Sequence, residues 1–263
     1  MPLSIQQAVD RIKARFERTV KADTVDTLKS GDSSQELRGI IVTFLLNRTV
    51  LDEALAKGAN LLITHEPTFY NHHDHEDWLK DDAVSESKRE FINKSGMVIW
   101  RLHDYTHAQQ PDMIFIGMAR ELGWQDLVES TLEKTVRLPA LTLHELSSHC
   151  KARLGSKSIR YVGDPTMPCS RVALRVGSPG AESQMAALQR SDVDVVITGE
   201  TSEWQTCEYV RDSVAAGRKK GLIVLGHANS EEGGIRWMAE WISQIVPEVA
   251  VTYLPTGDPY EFV

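Results

Sequence analysis

The stretch Gly58-Ala-Asn-Leu-Leu-Ile-Thr-His-Glu-Pro67 decides the fold. Its central run, Leu-Leu-Ile-Thr, is bounded by turn-forming and polar residues, which is typical of a short strand buried on both faces of a sheet. A similar run, Val195-Val-Ile-Thr-Gly-Glu200, occurs in the second half of the chain. Each run is followed by a predicted helix and then by a strand that starts at a glycine, Gly96 or Gly221. This echo predicts two related α/β lobes.

Outward from these two runs, predicted strands alternate with predicted helices along most of the chain. The apolar runs predict strands at 37–46, 60–64, 97–102, 158–162, 171–176, 193–198 and 222–225, and the helical periodicity predicts helices at 5–20, 49–57, 85–93, 111–122, 143–154, 181–189, 204–216 and 235–245. This alternation favours an α/β fold with mostly parallel sheets. We expect an N-terminal lobe at 1–130 and a second lobe at 131–263. The boundary is approximate, and packing of the C-terminal segment on the first lobe is an open alternative.

The composition argues against several classes of protein. The 263 residues include 37 acidic and 29 basic residues, a net charge of −8, which argues against a protein that binds nucleic-acid backbones. We expect no membrane anchor, because no apolar run reaches the ~20 residues of a transmembrane helix, and no secretory signal at the N-terminus. The three cysteines are far apart, which fits a reducing compartment. The sequence therefore predicts a cytoplasmic globular protein.

Candidate functional residues follow the predicted strands. In open α/β sheets, ligands bind beyond the carboxyl ends of the strands. Four predicted strands end in side chains that bind metals: His65-Glu66, His103-Asp104-Tyr105-Thr106-His107, Gly199-Glu200 and His227-Ala-Asn-Ser-Glu231. Imidazoles and carboxylates without thiolates favour Zn, Mn, Fe, Co or Ni. The candidates outnumber the ligands of a single catalytic zinc, which indicates two metal ions.

Other polar segments have weaker functional interpretations. The run Asn71-His-His-Asp-His-Glu-Asp77 has no strand to fix it, which predicts a solvated loop, with a mobile lid or adventitious metal binding as alternatives. The segment Gly177-Ser-Pro-Gly180 predicts a plain turn, with anion binding as the alternative. Acidic residues such as Glu200 and Glu231 also suit a first helical turn. The metal hypothesis therefore depends on the presence of metal-binding side chains at all four strand ends, and not on any one of them alone.

Several motifs together resemble a known family. They are Val50-Leu-Asp-Glu-Ala54, Gly58 to Pro67, Asp194-Val-Val-Ile-Thr-Gly-Glu200 and Gly226-His227 to Glu231. This combination resembles the Nif-three-like dinuclear metal-centre family, also known as GTP cyclohydrolase I type 2, from about residue 38 to the end. The resemblance implies two similar α/β lobes, a two-metal site in the cleft between them and a hexameric ring. The early Asp-x-x-Gly-Leu pattern of the family is missing near residues 23–31.

The resemblance also implies a set of metal ligands. His65 matches the first histidine of the family's His-His-Pro motif, and Glu66 replaces the second. His227 and Glu231 match the Gly-His-x-x-x-Glu motif, and His107 stands where an aspartate is usual. A carboxylate is thus gained at one position and lost at another, which predicts a working site with altered metal preference. Asp104 is a possible substitute ligand.

The predicted function is a metal-dependent hydrolase of cyclohydrolase or phosphoester type. Two divalent ions, held by His65, Glu66, His107, His227 and Glu231, would activate water, and His103 or Asp104 would transfer protons. The expected substrate is a small molecule and, by resemblance, a nucleotide, and the expected assembly is a homo-oligomer. The alternative is a non-catalytic metal- or nucleotide-binding scaffold.

Overall fold

A computed structural model describes residues 2–263. The chain divides into two compact units: unit 1 comprises Met1–Gln109 and Ile235–Thr256, and unit 2 comprises Gln110–Gly234 and Gly257–Val263. The sequence placed the division near residue 130, whereas the chain leaves unit 1 at Gln109 and re-enters it within the last helix. Among the described residues, no helix has the length and apolar character needed to span a membrane.

Unit 1 contains a five-stranded sheet in the order β1-β4-β3-β2-β11. The central strands pair in parallel, and the short edge strand β1 is antiparallel to β4. Every residue of β2, β3 and β4 is buried, as expected for strands covered on both faces. The elements are α1 (Ile5–Lys13), β1 (Leu28–Ser30), β2 (Ile40–Thr43), α2 (Arg48–Ala56), β3 (Leu61–Thr64), a 3₁₀ turn (Asp77–Leu79), α3 (Ala83–Ser95), β4 (Val98–Arg101), α4 (Asp104–Ala108) and β11 (Val251–Tyr253).

Unit 2 contains a six-stranded sheet in the order β5-β6-β8-β9-β10-β7. Only β8, β9 and β10 pair in parallel, and the strands around them are antiparallel. The expectation of a mostly parallel sheet thus describes unit 1, whereas the sheet of unit 2 is mixed. The elements are α5 (Met113–Glu121), a 3₁₀ turn (Gln125–Leu127), β5 (Val128–Ser130), β6 (Thr135–Thr142), α6 (Leu143–Leu154), β7 (Arg160–Val162), β8 (Pro168–Arg175), α7 (Ala181–Gln189), β9 (Val195–Thr198), a π-helical turn (Glu203–Cys207), α8 (Glu208–Ala215) and β10 (Gly221–Val224).

The last helix, α9 (His227–Ile245), begins eight residues earlier than the sequence pattern predicts. Gly233 and Gly234 weaken the helical pattern because glycine is a poor helix former. The structure gives these glycines a packing role against Gly117 of α5: a Cβ on Gly117 would lie 2.4 Å from the Gly234 Cα. His227 and Glu231 are consequently one turn apart on one helix, not across a corner between a strand and a helix.

Candidate metal centre

His65 follows β3 directly and is completely buried. Its Nδ1 lies 3.1 Å from the carbonyl oxygen of Leu102. Because a carbonyl oxygen only accepts hydrogen bonds, this contact places the ring proton on Nδ1. The Nε2 lone pair of His65 is then available to a metal ion, and the backbone contact fixes the orientation of the ring.

Helix α4 carries His107, and His103 immediately precedes its first residue. The buried carboxylate of Asp26 fixes the start of this short helix. It accepts hydrogen bonds from the backbone N–H groups of His103, Asp104 and Tyr105 at 2.7, 2.9 and 2.8 Å. Burial raises the pKa of Asp26, and these three donors oppose that rise. Sequence reasoning missed Asp26, which stands in a polar stretch with no motif around it.

His65, His103 and His107 form what we call the histidine cluster. The ring centroids are 4.6 Å apart for His65 and His103, 5.0 Å for His65 and His107, and 4.7 Å for His103 and His107. One nitrogen from each ring lies within 4.8 Å of the other two, so the cluster could hold a metal ion. The Nε2 atoms of His65 and His107 are 3.2 Å apart. Two imidazole ligands, each about 2.0–2.1 Å from a tetrahedral zinc, lie about 3.4 Å apart, so these residues fit a metal ion.

The environment of the histidine cluster favours neutral imidazoles. Burial lowers the pKa of His65 well below its usual value, and the neighbouring His103 and His107 lower it further. Burial likewise lowers the pKa of His103 to about 4, with a smaller contribution from His107. A neutral imidazole is the form that binds metals. His65 and His103 therefore offer lone pairs at pH 7 with little competition from protons.

Asp104 lies beside His103 and orients its ring. The Asp104 Oδ1 is 2.9 Å from the His103 Nδ1, and its Oδ2 accepts hydrogen bonds from the Thr24 hydroxyl at 2.8 Å and the Val25 N–H at 3.2 Å. Burial raises the pKa of Asp104, but the hydrogen bonds from His103 and Thr24 outweigh this effect and lower it. The structure thus places Asp104 in the position of a carboxylate that orients a metal-binding histidine.

Glu66 lies between the histidine cluster and a buried arginine. Its Oε1 is 3.8 Å from the His103 Nε2, and its Oε2 is 3.7 Å from the Arg101 Nη2. Arg101 also donates to the backbone oxygen of His65 at 3.0 Å through Nε and to that of His72 through Nη1. Sequence reasoning missed Arg101, although a charged residue at the end of an apolar strand was a usable signal, because an arginine is rarely buried without partners.

The histidine-rich run at 71–77 is more firmly held than a solvated loop. His72, His73 and His75 are exposed, as predicted. The Asp74 side chain, however, is only 5% exposed and lies 3.0 Å from the Lys29 Nζ and 3.6 Å from the Arg101 Nη1. A pair of buried cations therefore anchors this segment to β1 and β4.

In unit 2, His227 and Glu231 lie on the first turn of α9. The His227 Nε2 is 3.4 Å from the Glu231 Oε2, and its Nδ1 is 3.0 Å from the Glu200 Oε1. Glu231 is 3% exposed, whereas the Glu200 side chain is 56% exposed. The ring thus lies between a buried and an exposed carboxylate. The buried carboxylate and the imidazole together are suitable ligands for a divalent metal ion.

Gly177, between β8 and α7, closes one side of the His227–Glu231 pair. Its φ is +69°, and a Cβ there would lie 2.3 Å from the Glu231 Oε1 and 3.3 Å from the His227 Nε2. The Gly177 N–H donates at 2.8 Å to the Ser230 hydroxyl, which in turn donates at 2.8 Å to the backbone oxygen of His227. The chain bends at Gly177, whose lack of a side chain lets the backbone approach the carboxylate.

The structure places the predicted site residues in two sets. Within unit 1, it brings together His65, Glu66, His103, Asp104 and His107. Within unit 2, it brings together His227 and Glu231, with Glu200 beside them.

Comparison with known proteins identifies the family. The model of the Duf34/NIF3 (NGG1p interacting factor 3) family matches residues 4–259, nearly the whole chain. The chain belongs to the Duf34/NIF3 family. Proteins of known structure share its fold: a hypothetical protein of Staphylococcus aureus has a TM-score of 0.77 and 18% identity, and a NIF3-related protein of Bacillus cereus has a TM-score of 0.76 and 15% identity, with complete coverage of both chains in each case.

Relatives with similar sequences bear a functional name. A protein of Escherichia coli K12 called GTP cyclohydrolase 1 type 2 homolog is 27% identical over 241 residues, which cover 87% of this chain and 88% of the relative. A protein of Clostridium perfringens with the same name is 23% identical and covers 90% of both chains. The resemblance predicted from the motifs, and the two α/β units, are thereby confirmed.

Proposed function

We propose that this Duf34/NIF3 protein is a metal-dependent hydrolase with a dinuclear centre. The ligands in this proposal are His65, Glu66, His107, His227 and Glu231. The observation that carries it is the 3.2 Å separation of the Nε2 atoms of His65, which is completely buried, and His107. The His227–Glu231 pair and the cyclohydrolase names of the relatives support it further.

The residues of unit 1 have distinct roles in this proposal. Divalent ions held by the proposed ligands would supply Lewis-acid activation of water at neutral pH. His65 supplies Nε2 because the Leu102 carbonyl fixes the proton on Nδ1. His103, with its ring oriented by Asp104, is placed to accept a proton and to deliver it to a leaving group.

The remaining parts of the proposal concern the substrate, the assembly and the cellular location. A small molecule with a phosphate or purine group suits a cyclohydrolase or phosphoesterase, and the names of the relatives favour a nucleotide. A homo-oligomer in the form of a hexamer follows from the family resemblance. A cytoplasmic location is consistent with Cys150, Cys169 and Cys207, all of which are free thiols.

Metal analysis of the purified protein tests the proposal. We expect about two divalent ions per chain by mass spectrometry after expression in metal-supplemented medium. The variants His65→Ala/His107→Ala and His227→Ala/Glu231→Ala should each lose at least one ion, while the exposed His144→Ala should lose none. Wild-type protein without bound metal would exclude the dinuclear centre. Hydrolysis of nucleotides and phosphoesters by metal-loaded protein then tests the activity.

The scaffold function is the second candidate. The observation that favours it is the number of donors in unit 1, where His65, Glu66, His103 and His107 lie close together. Four protein ligands would fill a tetrahedral site and leave no position for a substrate or water, as in structural zinc sites. A metal-loaded protein that hydrolyses no nucleotide or phosphoester would support this candidate.

A further inference from the structure

Three exposed histidines lie at the tip of the segment 71–77, which we call the histidine loop. The ring centroids of His72 and His73 are 5.0 Å apart, and those of His73 and His75 are 5.5 Å apart with nearly parallel planes. Exposed imidazoles on an irregular loop would ordinarily point in different directions. In this loop the rings of His72 and His73 instead meet edge to face at 80°, and those of His73 and His75 are stacked at 28°, so the three rings are neighbours at the surface of unit 1.

Asn71 holds the three histidines in this arrangement. Its side-chain oxygen accepts hydrogen bonds from the N–H groups of His73 and His75 at 3.0 and 3.1 Å, and its amide donates to the backbone oxygen of His75. The Asp74 carboxylate accepts a hydrogen bond from the Phe69 N–H at 2.8 Å. The histidine loop is thus an ordered turn whose backbone is fixed by two of its own side chains.

Arg101 connects the histidine loop to the histidine cluster. Its guanidinium donates to the backbone oxygen of His65 and to that of His72, so one buried side chain fixes both segments. The positive charges of Arg101 and Lys29 face the carboxylates of Glu66 and Asp74, which compensate them. Glu66 and Asp74 therefore offset part of the positive charge near the exposed imidazoles.

The imidazoles form a continuous series from the surface to the interior. The series starts at His75 and His73, and His72 lies next at 5.5 Å from the His103 ring. The His103 ring is 4.6 and 4.7 Å from those of His65 and His107. Each ring has its neighbour within 5.5 Å. The outer rings are exposed, His103 is partly buried, and His65 is completely buried.

We propose that His72, His73 and His75 capture divalent metal ions from solution, and that these ions pass by way of His103 to the proposed ligands His65 and His107. This inference rests on the proposed metal centre. A buried site presents a kinetic problem, because an ion must shed its water before it reaches His65. At each step the lone pair of the next imidazole forms a bond to the ion as a bond to the previous imidazole or to water breaks. The charge of the ion does not change.

The rate of metal uptake tests this route. Protein freed of metal with a chelator is mixed with Co²⁺ in a stopped-flow spectrometer, and the absorbance of the bound ion is followed. In His72→Ala/His73→Ala/His75→Ala, we expect the wild-type content of tightly bound metal, measured after gel filtration has removed ions held only by the histidine loop. Uptake should slow by at least about tenfold, the lower end of the range by which local capture of ions raises on-rates. The control His144→Ala, which removes one exposed histidine of unit 2, should take up Co²⁺ at the wild-type rate. Equal rates in the wild type and the triple variant would overturn the proposal.

A second measurement isolates the capture step. In His65→Ala/His107→Ala/His227→Ala/Glu231→Ala, where both sets of proposed ligands are lost, titration calorimetry with Co²⁺ should still detect an ion bound at the histidine loop. Adding the three loop substitutions should abolish this binding. No binding in the quadruple variant would overturn the capture site. Failure of the proposed function would look different, because the wild type would then retain no metal at equilibrium. Circular dichroism of each variant checks that the fold is unchanged.

Discussion

The two sets of candidate ligands are built in different ways. In unit 1, the histidine cluster depends on contacts between distant parts of the chain, since β3, β4, α4 and the segment before β1 all contribute. In unit 2, His227 and Glu231 are four residues apart on one helix, a spacing that places side chains next to each other. The second set is therefore a local consequence of helix geometry, whereas the first depends on tertiary structure. Substitutions away from the ligands should consequently have larger effects on stability and metal binding in unit 1 than in unit 2.

The largest effect is expected from Asp26→Ala. This change leaves three backbone N–H groups at the start of α4 without their acceptor, and it should lower the free energy of unfolding by about 3 kcal/mol or more. Urea denaturation measures the loss. The matched control is Asp23→Ala, an exposed aspartate nearby, which should change stability by less than about 0.5 kcal/mol. Equal effects of the two variants would refute the role of Asp26.

The next effect concerns the dependence of stability on pH. The pKa of His103 is about 4 in the folded protein and about 6.5 in the unfolded chain, so the unfolded chain binds more protons between these values. The metal-free protein should therefore lose stability as the pH falls from 6.5 to 4, with about 3 kcal/mol attributable to His103. Urea denaturation in the presence of a chelator should show a shallower loss for His103→Gln. If the free energy of unfolding fell equally with pH in the wild type and in His103→Gln, the loss could not be assigned to His103.

In unit 2, the corresponding test compares two glycines. Gly177→Ala introduces a Cβ only 2.3 Å from the Glu231 Oε1, whereas at Gly180, which also has a positive φ, the added Cβ has no neighbour within 4 Å. Gly180→Ala should cost about 1 kcal/mol from backbone strain alone. Gly177→Ala should cost about 1–3 kcal/mol more, because the carboxylate must move. It should also weaken metal binding by His227 and Glu231, as measured by calorimetry, while Gly180→Ala should not.

The smallest effect is expected when the carboxylates beside His103 and His227 are replaced by amides. In the scaffold candidate, where His103 is itself a ligand, Asp104→Asn should lower metal affinity about tenfold, because Asp104 orients His103 from a partly buried position. Glu200→Gln should change affinity less, since the Glu200 side chain is more than half exposed to water. Calorimetric titration with Zn²⁺ gives both affinities. A larger loss in Glu200→Gln would reverse the proposed contrast between the units.

The sequence predicted those features that arise from local patterns. The runs of apolar residues placed β3 and β9, and helical periodicity placed α6 and α7 at their observed bounds. The edge strands β1 and β11 were missed because three partly exposed residues carry no clear pattern. The early start of α9 was missed because Gly233 and Gly234 look like helix breakers.

The same distinction applies to the candidate site. The ligands at strand ends could be predicted because histidine and glutamate are unusual after buried strands. The residues that hold them could not, because Asp26 and Arg101 act across 77 and 36 positions of sequence. No local pattern encodes contacts over such separations. The order of the histidine loop was missed for the same reason, since its anchors, Lys29 and Arg101, are distant in sequence.

The contact of Gly117 with Gly233 and Gly234 has a consequence for how the ligands of unit 2 can vary. Side chains between two helices can change rotamer and let the helices slide, but here backbone meets backbone. Helices α5 and α9 are thus as close as their backbones allow, and any larger residue in place of these glycines would push them apart. His227 and Glu231 precede Gly233 on the same helix by six and two residues, so this spacing also sets where both ligands lie in unit 2. The three glycines therefore set the distance between α5 and α9. An added methyl group on any one of them should displace both ligands together.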